Sequence, residues 1–184
     1  MSFSVVIPAR FAANRLPGKA LLDICGKPMI QHTYEKALAS KAKSVTIATD
    51  DLRIKDVAEG FGAQVCMTSS AHTSGTDRIQ EVATQLKLKD QEVIVNVQAD
   101  EPLLPPAAIN QVVENLQTRE GVGIATLCEL VTEQGEIDDA NAVKVVMDKD
   151  GQALYFSRST LPWQASASAQ NCYRHIGIYA YRVV

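Results

Sequence analysis

The sequence predicts an α/β fold: a doubly wound, mostly parallel sheet of Rossmann-like type, with an antiparallel sub-region in its C-terminal part. Three observations predict it. Short β-branched apolar runs alternate with stretches whose apolar residues recur at helical spacing, a strand–helix rhythm that repeats before a further strand. The run Val93-Ile94-Val95-Asn96-Val97 is apolar enough to be buried on both faces, as central parallel strands are. After Thr132 the rhythm gives way to strands joined by a tight turn.

Val5-Val6-Ile7 reads as a buried strand that stops at Pro8, and a loop follows. Lys27-Pro28-Met29 opens a helix, with Pro28 suited to the first helical position and Met29, Ile30, Thr33, Tyr34, Ala37 and Leu38 forming one stripe. Ser44 to Thr49 is a strand, and Asp50-Asp51 can cap a helix running through Phe61. Gln64 to Thr68 is a short strand, and a hydroxyl-rich loop then leads into a helix with Ile79, Val82, Ala83 and Leu86 on one face. The strand from Glu92 to Gln98 ends at Ala99-Asp100-Glu101-Pro102. Pro105-Pro106 starts a helix that turns Ile109, Val112, Val113 and Leu116 inward, and Gly123 to Val131 is the next strand. Ala142 to Met147 and Ala153 to Arg158 form a hairpin across Asp148-Lys149-Asp150-Gly151. A loose stretch, Gln164 to Asn171, precedes a last strand, Tyr173 to Arg182. Residues 1–131 are therefore expected to form an α/β core, and residues from about 132 onward an antiparallel region inserted into, or packed beside, the first sheet. The sequence stops directly after a strand, at Val183-Val184, and reads as incomplete there.

Composition narrows the function. A chain of 184 residues with 46% hydrophobic content can bury a core, and a net charge of −3 offers no general field for nucleic acid. No apolar run approaches a membrane span, and no secretory signal is visible. The four cysteines, Cys25, Cys66, Cys128 and Cys172, form no metal or redox motif and suit the reducing cytoplasm, with Cys66 and Cys128 expected to be buried thiols.

The chemistry concentrates at strand ends. The loop after the first strand carries Arg10, Arg15 and Lys19, with Gly18 beside the last. It is either a solvated basic loop or a cradle for a strongly anionic guest such as a triphosphate, because Arg forks bind phosphate bidentately and Lys acts as a mobile charge. Neither a Walker A loop nor a dinucleotide fingerprint is present: Ala13 stands where the first needs Gly, and Ala20 follows Lys19. On the phosphate reading, this loop therefore works mainly with side chains. Ser74-Gly75-Thr76-Asp77-Arg78 is either an ordinary capped helix start or a close approach to a ligand. Asp100 is either a Mg²⁺ ligand or a turn cap. Along the last strand His175, Gly177, Tyr179 and Tyr181 share one face, which suits a sugar pocket, a half-exposed sheet face or a dimer contact. Arg158 ends a strand carrying Leu154 and Phe156, as a carboxylate clamp or a surface Arg. His32 and His72 receive no role.

With these residues assembled, the sequence resembles the 3-deoxy-manno-octulosonate cytidylyltransferase (CMP-Kdo synthetase) family, of nucleotidyltransferase fold type. The matching stretches include Ile7-Pro-Ala-Arg-Phe, Arg15-Leu-Pro-Gly-Lys, Gly26-Lys-Pro-Met-Ile-Gln-His, Ala48-Thr-Asp-Asp, Ser74-Gly-Thr-Asp-Arg, Val95-Asn-Val-Gln-Ala-Asp-Glu-Pro, Ala153-Leu-Tyr-Phe-Ser-Arg-Ser and Arg174-His-Ile-Gly-Ile-Tyr-Ala-Tyr-Arg. They run in family order across essentially the whole chain. The resemblance implies transfer of CMP from CTP to the anomeric hydroxyl of Kdo, with release of pyrophosphate, in lipopolysaccharide synthesis in the bacterial cytoplasm. It implies that Arg10 and Lys19 hold the CTP phosphates with Arg15 assisting, and that Ser74, Gly75, Thr76 and Arg78 border the cytidine. It implies that Asp100 ligates Mg²⁺, and that Gln98, Arg158, His175 and Tyr179 border the sugar acid, Arg158 facing its carboxylate. Such proteins are usually homodimers, and their partners here are CTP and Kdo rather than nucleic acid or membrane. Two substitutions depart from the family pattern: Ala99 for Gly, expected to crowd a tight backbone, and Ala20 for Pro, expected to loosen the loop. The family continues past Val184 with a second Asp for the metal and a Glu-rich helix, so a protein ending there is expected to turn over little. The readings kept alongside are a CMP-sialic acid synthetase or related sugar nucleotidyltransferase, and a non-catalytic nucleotide-binding module.

Overall fold

The computed structural model describes residues 2–12, 16–72, 74–162 and 172–184. In chain order the strands and helices are β1 (Phe3–Ala9), β2 (Asp23–Ile24), β3 (Lys27–Pro28), α1 (Met29–Leu38), β4 (Ser44–Thr49), α2 (Leu52–Gly60), β5 (Gln64–Met67), α3 (Gly75–Gln85), β6 (Val93–Asn96), α4 (Pro106–Gln117), β7 (Ile124–Leu130), α5 (Gln134–Asp138), β8 (Lys144–Met147), β9 (Ala153–Ser157) and β10 (Tyr173–Arg182). The expected alternation of strand and helix through β7 is present. Two compact units result, one of Met1–Ala125 with Ile178–Val184 and one of Thr126–Gly177. The division expected at 131/132 thus falls earlier, and the end of the chain returns to the first unit.

In the first unit the strands lie in the order β5-β4-β1-β6, all parallel, and the end of β10 adds to β6 antiparallel, Tyr179 opposite Asn96. Burial explains the arrangement. Val5, Val6 and Ile7 are successive residues at zero exposure, which only a strand covered on both faces permits. α4 turns Ile109, Val112, Val113 and Leu116 inward, as its spacing predicts. α1 buries Ile30, Thr33, Tyr34 and Ala37, but Leu38, at the end of its predicted stripe, is exposed. Pro28 is the residue before α1 rather than its first helical position, and Asp51 caps α2 by accepting the Arg53 amide. β2 and β3, which the sequence does not announce, close through Cys25 and Gly26 at φ 52° and 83°, the paired left-handed conformations of a two-residue hairpin.

This strand order fixes where a ligand can sit. The chain leaves β1 for β4 and β5 on one side, then returns to place β6 on the other. The loops after β1 and β6 therefore diverge, leaving a crevice at the carboxyl ends of the two strands.

In the second unit β8 pairs antiparallel with β9 and with the start of β10. Gly151 takes φ 76° in the predicted Asp-Gly turn, where the Asp148 carboxylate accepts the amides of Asp150 and Gln152. Lys144 is fully buried, and its ammonium donates to the carbonyls of Asp139 and Ala142 at 2.7 and 2.8 Å. All four cysteines are free; Cys66 and Cys172 are buried and Cys128 partly so. Burial pushes the Cys66 thiol up, with the nearby Glu81 carboxylate adding to the shift. Among the described residues, no helix is long and apolar enough to cross a membrane.

Candidate active site

A cleft of about 210 Å³ occupies the crevice between the ends of β1 and β6, and its walls include Arg10, Lys19, Gly75, Gln98 and Asp100. Each arrives by a separate local device. Gly18 sits at φ 71°, directly before a single 3-10 turn over Lys19–Leu21. A Cβ there would stand 3.0 Å from the Phe11 ring, so only Gly tolerates both the backbone and the contact. The Gly18 amide donates to the Phe11 carbonyl at 2.7 Å, closing the described ends of the loop on each other. The Phe11 ring in turn lies 3.3 Å beneath the Arg53 guanidinium. Ala20 is buried in the 3-10 turn, whose amides at Leu21 and Leu22 reach the carbonyls of Gly18 and Lys19, so this stretch is closed rather than loosened.

From that turn the Lys19 ammonium donates to the Asp100 carboxylate. Asp100 stands on the turn after β6, where the Glu101 amide donates to the Gln98 carbonyl and the buried Thr33 hydroxyl to the Ala99 carbonyl. Ala99 is buried there and is absent from the positive-φ positions, so its methyl brings no left-handed strain. The side chains of Lys19 and Asp100 are 35% and 42% exposed, so water screens the pair and it adds little to stability. Both charges can be re-paired cheaply with an incoming phosphate and a cation.

The third wall is the start of α3. Ser74 and Asp77 form a capping box, the Asp77 amide on the Ser74 hydroxyl and the Ser74 amide on the Asp77 carboxylate, each at 3.1 Å. Gly75 lies where a Cβ would be 3.8 Å from Pro8, so the helix start abuts β1. The Ser74 carbonyl accepts from the Arg10 guanidinium at 3.2 Å. Ser74 thus meets the basic loop through its backbone, because its hydroxyl is used in the cap.

The structure brings Arg10, Lys19, Gly75, Gln98 and Asp100 together; within the first unit, Thr76, Arg78 and Tyr179 are not among the residues lining that cleft. Arg15 lies outside the described residues. Arg78 is fully buried, donating to the Thr68 hydroxyl and, at 3.1 Å, to Asp50, so it ties the ends of β4 and β5 together instead of lining the cleft. Thr76 is exposed and faces a separate groove with Tyr181 and Val183. Tyr179 is half-buried and stacks on Tyr181, centroids 6.0 Å apart; burial pushes its phenol up, and Tyr181 adds to the shift. In the second unit the Arg158 guanidinium donates to the Ala140 carbonyl at 2.8 Å, and Leu154 and Phe156 are exposed rather than forming a pocket wall. His175 pairs with the Thr126 hydroxyl at 2.9 Å and takes the Phe156 ring edge-on at 5.0 Å. Burial holds its imidazole below the ordinary range. Thr126 was legible only as a strand residue, and Pro8, Ala9, Ala12 and Ala20, which also line the cleft, carry no chemical signature. Among the described residues no three His, Cys, Asp or Glu side chains converge as a metal site.

The sequence profile of the cytidylyltransferase family matches residues 4–184. The chain belongs to that family. It is 55% identical over 193 residues to the 3-deoxy-manno-octulosonate cytidylyltransferase of Cellvibrio japonicus, covering 100% of this chain and 76% of that one. It is 53% identical over 190 residues to the same-named protein of Thioalkalivibrio sulfidiphilus, again covering 100% of this chain and 76% of the relative. A solved structure of CMP:2-keto-3-deoxy-manno-octonic acid synthetase complexed with CTP superposes with a TM-score of 0.89 at 41% identity, over 98% of this chain and 73% of that chain. The family assignment agrees with the resemblance read from the motifs, and the mostly parallel sheet with antiparallel strands matches that structure's fold.

His175 gives a measurable signature. Because burial favours the neutral ring, the folded chain binds fewer protons than the unfolded one as pH falls through the ordinary imidazole range, around 6.5, and this component of stability is lost there. An NMR titration is expected to place the His175 midpoint below that of an exposed imidazole, and His175→Gln to flatten the decline in melting temperature through that range. A midpoint at or above the exposed value contradicts this environment.

Proposed function

We propose that this chain transfers CMP from CTP to the anomeric hydroxyl of 3-deoxy-manno-octulosonate, giving CMP-Kdo and pyrophosphate. The observation that carries the reading is the meeting of Arg10, Lys19 and Asp100 in one cleft at the strand-order reversal, in a chain belonging to the cytidylyltransferase family. The sugar oxygen forms a bond to the α-phosphorus of CTP, the bond from that phosphorus to the bridging oxygen of pyrophosphate breaks, and the hydroxyl proton leaves to solvent or a base. Charge builds on the phosphoryl oxygens and on the departing pyrophosphate. The Arg10 fork and the Lys19 ammonium hold the triphosphate in position and offset that charge. Lys19 exchanges its bond to Asp100 for phosphate oxygens, and Arg10 stays aligned by the Ser74 carbonyl. The Asp100 carboxylate fits a magnesium ion, which in nucleotide sites takes one or two carboxylates beside phosphate oxygens and water. When bound, the ion would neutralise phosphate charge opposite the two cations. The place in lipopolysaccharide synthesis, and the cytoplasmic setting, go with this reaction. Gln98, on the cleft wall, is proposed to meet the sugar acid.

We further infer a homodimer. Leu154, Tyr155 and Phe156 are successive residues on the outer strand β9, exposed by 66%, 61% and 41%. Leu154 and Phe156 share one face of β9, which is an edge strand among the described residues, and exposed apolar side chains on an edge strand are a surface that monomers rarely leave open.

Arg10→Ala and Lys19→Ala are each expected to lower CTP-dependent pyrophosphate release by about 10²–10³-fold with far-UV circular dichroism unchanged. Near-normal turnover in both removes the site. Asp100→Asn is expected to shift the magnesium titration of the rate to higher concentration, and an unaltered titration curve assigns the ion elsewhere. Analytical ultracentrifugation is expected to give twice the chain mass, with Leu154→Lys shifting the population towards monomer; a wild-type monomer at micromolar concentration refutes the dimer.

A further inference from the structure

The helix α3 does more than begin at the cleft. The four residues Thr68, Ser69, His72 and Ser74 each bond to an α3 side chain. The Arg78 guanidinium donates to the Thr68 hydroxyl, and Asp77 and Ser74 close the capping box. Between these two attachments stands Glu81, one turn further along the same helix. One oxygen of its carboxylate accepts the Ser69 amide at 2.9 Å and meets His72 Nε2. The other accepts the Gln85 side-chain amide at 2.9 Å. Gln85 is itself fixed, donating to the Met67 carbonyl at 3.0 Å and accepting from the Cys66 thiol at 3.1 Å. The carboxylate is therefore anchored on the helix side and grips the segment on the other. Ser74, two residues past His72, presents its carbonyl to the Arg10 guanidinium at 3.2 Å.

We propose that Glu81 is a positioning residue for nucleotide binding: by holding Ser69 and His72 against α3, it sets where Ser74 meets Arg10 and so where the guanidinium stands to receive phosphate. Glu81 touches neither the cleft nor a reacting atom; it acts through two intervening residues. The donors on its carboxylate, first the Ser69 amide and then His72, hold its pKa below the ordinary carboxylate range, so its oxygens stand ready as acceptors for both. Hydrogen bonds to a charged acceptor are the stronger kind, and losing them frees the segment rather than weakening it slightly.

This inference rests on the CTP reading above, and one titration separates the two. Calorimetric titration of the whole chain with CTP and Mg²⁺ is run on the wild type, Glu81→Ala and Glu81→Gln. Glu81→Ala is expected to weaken CTP binding about tenfold or more, with the melting temperature little changed. Glu81→Gln is expected to stay within about threefold of the wild type, because its amide oxygen still accepts from Ser69 and His72. If Glu81→Ala does not fold, Glu81→Asp replaces it, too short to reach Ser69 and His72 from the same turn, with the same tenfold loss expected. Wild-type binding matched by the Ala or Asp variant overturns the positioning role and leaves the CTP reading intact. Equal weakening in the Gln variant also overturns it, since an acceptor would then not be what the segment needs. A wild-type chain that does not bind CTP overturns the parent reading and this one with it.

Discussion

The contact between Lys19 and Asp100 joins the loop after β1 to the turn after β6, and much of the site follows from what makes that contact possible. Two parallel strands lie side by side, and their connections leave in opposite directions. Any polar groups on those connections face one another across the gap. A cation and a carboxylate facing each other there are matched in the free protein, and their partial exposure keeps the match weak. A strong buried pair would have resisted an incoming triphosphate. A weak one leaves both groups available for exchange.

The cleft divides into groups that carry charge into it and groups that hold them. Arg10, Lys19 and Asp100 carry charge into the cleft, while Gly18, Phe11, Thr33 and the Ser74–Asp77 box carry no charge to it but fix where those three stand. Preorganised charge of this sort is effective because nothing has to reorient when charge develops. The capping box also limits what the helix start can offer the cleft. The donor groups at the α3 start that a phosphate-binding helix would offer are partly used by the helix's own side chains.

How much was legible beforehand depended on whether the deciding physics is local. α4 and β6 were readable residue by residue, since periodicity and β-branching report burial directly. The β2–β3 hairpin was not, because its turn is Cys-Gly instead of the Asn-Gly or Asp-Gly that signals such turns. α5 is a five-residue helix containing Gly135, too short for any spacing to show. Of the residues that share the cleft, Arg10, Lys19, Gly75 and Asp100 could be read from the sequence because each follows a strand end or opens a helix, while Gln98 came with the family resemblance. Arg78 was placed at the cytidine by the resemblance, and the sequence records its charge and not its burial; Asp50 and Thr68 take it up inside the fold. Glu81 passed unnoticed for the same reason: nothing in a helical Glu announces that a loop folds back onto it.

The Phe11 ring has a wider consequence. It fills the space that Gly18 leaves empty and also carries the Arg53 guanidinium, which the Asp51 carboxylate grips at 2.9 and 2.6 Å. An ion pair on the outer rim of α2 is thereby mechanically continuous with the floor under the lysine. Sequence drift at a helix cap, which ordinarily changes only local fraying, reaches here into the placement of a cleft-lining ammonium group.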